Sequence, residues 1–215
     1  MRFLEKEELP HFKFQKDFLK PFEHTMIHNA NPDIRDMVRH FCCFLDYLVP
    51  IDCSQVLQCL QQMIQARVEN MRSGWRTMFG VFSAASKVLT GMSLPRCVSH
   101  SQIDLSPERI ANSAFEIVSR LNKDHFAAIV RHGSFADLTV CITEFCKVSK
   151  YQKLSLLAIA MLRGVIPVML SSPECALGPE GQSPNEDGMI RFWYPVLFGF
   201  YDIIMNGEDL EVRRL

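Results

Sequence analysis

Apolar residues recur three and four positions apart through most of this sequence, and no other feature limits its fold as strongly. Trp75, Met78, Phe79 and Phe82 share one face of a helix, as do Ile110, Ala114, Ile117 and Leu121. Leu154, Leu157, Ala158, Met161 and Val165 repeat the pattern, and so do Trp193, Leu197, Phe200 and Ile204. A 3.6-residue period lays such positions along one buried stripe, so the spacing predicts amphipathic helices. Start signals stand where the stripes begin: Asn31-Pro32 before Ile34, Met37, Val38 and Phe41, then Ser73, Ser106-Pro107 and Ser134. Leu138, Val140 and Ile142 also alternate as a strand would, but Phe135 and Phe145 extend only the helical phase. The stretch Ser171 to Gly188 holds three prolines, three glycines and four acidic residues and reads as a flexible loop. About eight helices with short links and no strand pair predict an all-α fold. Antiparallel pairs packed in chain order make it a HEAT/armadillo-like α-solenoid. Residues 1–13 read as a linker or tail and residues 14–215 as a single domain.

A chain of 215 residues with 48% hydrophobic side chains buries a core without disulfides or structural metal. Its net charge of −1 lacks the basic excess of a nucleic-acid binder. Glu5, Glu7 and Glu8 stand where a secretory signal would be apolar, so a cytoplasmic protein is expected. The eight cysteines sit mostly inside apolar periodic runs and read as small buried hydrophobes. Leu154–Leu170 is interrupted by Arg163 and Pro167 and Phe192–Met205 by Asp202, and both fall short of the ~20 apolar residues of a membrane span.

Catalytic chemistry finds no address. His24 and His28 lie four apart, but Glu23 precedes the pair instead of following its first histidine, and no third ligand is evident. Cys42-Cys43 near His40, and Cys141 with Cys146, lack the Cys-x-x-Cys spacing of zinc or redox sites. Neither a glycine-rich phosphate loop nor a nucleophile elbow is present, so no enzyme, no cofactor, no metal and no small-molecule substrate is expected. Lys147, Lys150 and Lys153 gather around Tyr151 at a helix junction. They read either as a patch for anionic lipid headgroups, giving peripheral membrane contact, or as a solvated rim.

Three segments carry a family resemblance. Phe14-Gln15-Lys16-Asp17-Phe18-Leu19-Lys20-Pro21-Phe22-Glu23-His24, with Ile34-Arg35-Asp36-Met37-Val38, resembles the segment after the catalytic domain of large, brefeldin A-inhibited Arf guanine-nucleotide exchange factors. Asn70-Met71-Arg72-Ser73-Gly74-Trp75-Arg76-Thr77-Met78-Phe79-Gly80-Val81-Phe82 resembles their "homology downstream of Sec-seven" (HDS) domain, shared with Mon-two-like proteins. Phe192-Trp193-Tyr194-Pro195-Val196-Leu197-Phe198, with Leu210-Glu211-Val212-Arg213, resembles the helix pair closing the same region. The wording is nearest that of the family's third member. The resemblance implies helical repeats and a non-catalytic scaffold or regulatory segment in vesicle traffic at Golgi, endosomal or secretory-granule membranes. Its partners would be an Arf GTPase or other parts of the exchange factor. The exchange reaction would belong to an upstream Sec-seven domain, which this sequence does not contain, so a fragment, isoform or incomplete gene product is expected. The alternative is a free-standing helical-repeat adaptor with no exchange domain.

Within the signature Asn70, Ser73, Gly74 and Trp75, two roles stay open for the tryptophan. It is a core residue with Ser73 as cap and Gly74 admitting a neighbouring helix, or it joins Arg72 and Arg76 as a partner contact. Against the family, residues 39–56 and 91–107 look like extra segments that bury little, the second a loop.

Overall fold

The computed structural model describes residue 8 and residues 13–28, 53–87, 107–175 and 186–215. All regular structure among the described residues is helical. The chain divides into two compact units, Met1–Ile117 and Val118–Leu215, with the boundary inside one helix.

The first unit holds α1 (Phe14–His28), α2 (Cys53–Arg67), a 3₁₀ turn (Val68–Asn70) and α3 (Gly74–Lys87). Helix α4 (Pro107–Asp124) begins in this unit and ends in the second. Helix α1 lies along α3 and also touches α2. Leu19, Phe22 and Met26 recur on one side of α1 and are buried with Val56, Leu60 and Met63 of α2 and with Trp75, Met78, Phe79 and Phe82 of α3. These are the helical stripes of the sequence, now facing one another. The Trp75 and Phe79 rings stack at 5.7 Å between centroids.

The second unit is built around α6 (Phe135–Cys146), which packs on α7 (Gln152–Ser171) and α8 (Tyr194–Asn206). Helix α5 (Phe126–Arg131) precedes it, and α9 (Leu210–Arg214) returns onto α7. Leu138 and Ile142 are buried while Val140 points outward, so residues 138–142 take the helical reading over the strand one. Phe135 meets Phe126 and Phe192 edge-on at 5.8 and 5.6 Å. A Cβ on Gly199 would press on Thr143 Oγ1 and contact Thr139 and Leu162, so glycine lets α8 settle against α6 and α7.

A π-helical turn, Met189–Trp193, leads into α8, with the Tyr194 N–H bonded to the Met189 carbonyl five residues back. Pro195 has no N–H to offer the Arg191 carbonyl, which gives the widened turn a local cause.

Several expectations need correcting. The stretch read as a loop from Ser171 to Gly188 is shorter: α7 continues through Ser171, whose hydroxyl bonds the Val168 carbonyl, and a 3₁₀ turn covers Pro173–Cys175. Helix resumes at Glu186, and residues 176–185 lie outside the described ones. Pro167 lies within α7 on its exposed side, where water can take the freed carbonyl, so the helix passes it and ends before Pro173. Helix α7 is thus 20 residues long and, by length and composition alone, apolar enough to cross a membrane. One face, with Leu154, Ala158, Leu162, Val165 and Met169, is nevertheless buried as in an ordinary core helix.

The first segment read as extra, 39–56, ends inside α2: Cys53 and Val56 form its first turn and are buried. The rest of that segment, the helix expected from Asn31-Pro32, and residues 91–106 of the second segment lie outside the described residues, while Pro107 opens α4. The five described cysteines, Cys53, Cys59, Cys141, Cys146 and Cys175, are buried thiols outside any disulfide. Burial pushes the Cys146 thiol far up, which keeps it protonated and inert.

Candidate functional site

The signature turn Asn70–Gly74 joins α2 to α3 and is fastened to the start of α1. Two helices beginning side by side expose two sets of amides with no intrahelical acceptor. Here each supplies caps to the other. The buried Gln15 side chain, in the first turn of α1, accepts from Arg72 N at 2.8 Å and Gly74 N at 3.4 Å, and its Nε2 donates to the Asn70 carbonyl at 2.8 Å. In return Ser73 Oγ accepts from Lys16 N at 3.2 Å. The Glu8 carboxylate joins both helices, accepting from Gln15 N at 3.0 Å, Ser73 N at 2.9 Å and the Ser73 hydroxyl at 2.5 Å. A buried carboxylate at two helix N-termini is also favoured by the partial positive charge there.

Ser73 therefore marks the start of α3 without capping it; its hydroxyl serves α1 instead. Ser134 likewise precedes α6 without a side-chain cap bond. Gly74 explains itself by contact: a Cβ there would lie 2.5 Å from Met71 Sδ, 2.9 Å from Leu19 Cδ1 and 3.3 Å from Gln15 Cβ. Glycine is the residue that lets α1 and α3 start this close together.

The structure places Trp75 wholly in the core, so its ring is not an exposed partner contact. A side chain in the first turn of α3 on the side facing α1 has nowhere else to go. Its Nε1 has no hydrogen-bond partner among the described residues. Arg72 is half-buried and Arg76 exposed, so only the two arginines of the expected contact set reach the surface. Beside them, burial raises the Glu23 pKa above its ordinary value against the pull of Arg76 and Lys20. The Glu23 carboxyl lies against Gly80, where a Cβ would collide with it.

The lysine junction separates in the same way. Lys147 is held at 2.7 Å by Glu144 and at 2.7 Å by Asp202, tying α6 to α8, while Lys150 and Lys153 are exposed. Burial opposes the Lys147 charge, but the hydrogen bonds to Asp202 and Glu144 outweigh it and raise the pKa. Hydrogen bonds from Lys147 and Asn206 lower the pKa of Asp202. A lysine already neutralised by two carboxylates is a poor headgroup ligand, so Lys147 drops from the expected patch and two lysines remain. Among the described residues no cluster of three or more His, Cys, Asp or Glu side chains could hold a metal. His24 lies on α1, and the side chain of His28 is outside the described residues.

Glu8 and Gln15 are the residues that sequence reasoning missed. Glu8 reads as one charge in an acidic start, and Gln15 as one polar residue in an amphipathic stretch. Only their meeting with a turn more than fifty residues away gives them a role.

Known proteins share this stretch of sequence. The family model described as "Mon2/Sec7/BIG1-like, HDS" matches residues 2–44 and 54–97. Its gap falls inside the segment 39–56, and its second part runs into the segment 91–107. The ADP-ribosylation factor guanine nucleotide-exchange factors sec72 and sec71 of Schizosaccharomyces pombe are 33% and 34% identical over 213 residues, 99% of this chain and 10% of each of those proteins. Brefeldin A-inhibited guanine nucleotide-exchange protein 1 of Homo sapiens is 31% identical over 217 residues, again 99% of this chain and 10% of that protein. The chain spans about a tenth of the length of these curated relatives.

Proposed function

We propose that the chain is an HDS segment of the Sec7/BIG type of Arf exchange factor and a non-catalytic helical-repeat scaffold within such a factor. The observation that carries this reading is an alignment covering nearly the whole chain but only a tenth of each exchange factor. The site geometry supports it: the signature residues Asn70, Ser73, Gly74 and Trp75 are spent on holding α1, α2 and α3 together. Residues used in this way act as architecture. In this reading the contacts with an Arf GTPase, or with other parts of the exchange factor, run through the surface bearing Arg76 and the outer part of Arg72. The place of action is the cytoplasmic face of Golgi, endosomal or secretory-granule membranes, with Lys150 and Lys153 as the remaining cations toward lipid.

A fluorescence nucleotide-exchange assay tests the central statement. The purified chain is expected to leave the rate of nucleotide release from Arf proteins at its spontaneous value. Acceleration that depends on the concentration of the chain would overturn the scaffold reading.

A further inference from the structure

Helix α8 buries Val196, Gly199 and Ile203 against its own unit and turns a second apolar face to solvent. Tyr194, Phe198, Tyr201 and Met205 follow one another at spacings of four, three and four, which is the seam of a two-heptad helical pair. Leu197 and Ile204 stand seven residues apart along its edge, and Ile190 adds to the face from the π-helical turn before α8. Exposure of these seven side chains runs from 44% at Tyr194 to 66% at Phe198. With about 200 Å² available to a large side chain, they leave on the order of 800 Å² of side-chain surface open. The largest patch on an ordinary monomer is about 300–600 Å², whereas one partner's share of a stable interface is about 800 Å².

We propose that this face is a self-association surface, on which a second copy of the chain packs its own α8 antiparallel across a two-fold axis. The area is one argument, since it matches what one partner in a stable dimer must bury. Symmetry is another. The seven positions carry no charge, so the face meets its own copy without repulsion, as an isologous contact requires. Arg191, at the N-terminal end, is paired with Asp187 at 3.3 Å, so it sets no unbalanced charge against the facing α8. The midpoint of the stripe falls between Leu197 and Phe198, so those residues lie at the axis while Ile190 faces Met205 of the other copy. The packing of the unit is not disturbed by this arrangement, because Val196, Gly199 and Ile203 stay on the inner side.

Sedimentation equilibrium on the intact chain, from 1 to roughly 100 µM, measures the association. A monomer–dimer equilibrium within that range is expected, weakened at least tenfold by Phe198→Glu with the far-UV circular dichroism and melting temperature unchanged. Register is read by cysteine cross-linking against the unsubstituted chain as background. Phe198→Cys should link to its own copy, whereas Ile190→Cys should link to Met205→Cys in a mixture and not to itself. Should Phe198→Glu perturb the fold, Tyr201→Lys on the same face gives the second reading. A chain that stays monomeric at the highest concentration, including one that binds vesicles or another helix as a monomer, overturns the proposal. So does a dimer that both substitutions leave intact.

Discussion

Two glycine-to-alanine substitutions should move stability in opposite directions. Gly164 lies in the interior of α7, exposed, with nothing within 4 Å of an added Cβ. Alanine there removes the entropic cost of fixing a glycine in a helix and adds no clash, so Gly164→Ala should stabilise by about 0.5–1 kcal/mol. Gly74→Ala receives less of that gain, because position 74 is the first residue of α3. Against it stand the Met71 thioether at 2.5 Å, the Leu19 methyl at 2.9 Å and Gln15 Cβ at 3.3 Å. The first two are flexible ends, but all three residues are fully buried and have no space to move into. Relief therefore requires α1 to move away from α3, which lengthens the Gln15 bonds to Arg72 N and Gly74 N. Overpacking costs about 1–3 kcal/mol and a weakened cap about 1 kcal/mol. The net expectation is a loss of about 2 kcal/mol after subtracting the small helix-propensity gain. Urea unfolding followed by circular dichroism, with Trp75 and Trp193 fluorescence reporting one unit each, measures both changes. If Gly74→Ala is as stable as the wild type while Gly164→Ala gains, the start of α1 is not held against the turn as described.

Trp75→Ala should cost about 3–5 kcal/mol, the range for a fully buried large aromatic, and leave the first unit marginal or insoluble in denaturant melts. An unchanged midpoint would place the ring outside the core. Deleting residues 39–56 as one block should lower the melting temperature, because it removes Cys53 and Val56 from the first turn of α2; a raised value would mean that turn buries little. The depressed pKa of Asp202 means that its contribution to stability is present above the ordinary carboxylate value and is lost as pH falls through the folded value. The stability gap between wild type and Asp202→Asn should therefore be widest near neutrality and close on acidification, as read by melts across pH; a gap independent of pH would refute the ion pair's role.

Helical class and the positions of most helix starts were legible in the sequence, because a 3.6-residue period and a cap are local properties. The expected stripe Trp193, Leu197, Phe200 and Ile204 is not the buried one, since α8 buries Val196, Gly199 and Ile203 and leaves Leu197 and Ile204 exposed, as α7 leaves Leu157. The stripes of α3 and α6 bury as their spacing requires, and Trp75 follows its stripe into the core. The likeness to the HDS family model was also legible, since the signature around Asn70 to Phe82 is one continuous run inside the matched residues 54–97. Local reasoning failed where a role depends on something distant in the chain. Ser73 looks like the cap of its own helix, yet its hydroxyl bonds Lys16 N and Glu8, and the amides of Arg72 and Gly74 are satisfied by Gln15 and that of Ser73 itself by Glu8. Lys147 looks like one member of a basic cluster, yet Asp202 reaches it from α8. The stripe of α8 shows in sequence as one more apolar helix, and only the packing against α6 and α7 decides that Phe198 and Tyr201 remain outside. The physical reason is the same in each case. Periodicity fixes which side chains of one helix share a face, whereas a hydrogen bond, an ion pair or an uncovered surface is fixed by which helix comes to lie against that face. Only the tertiary structure decides that.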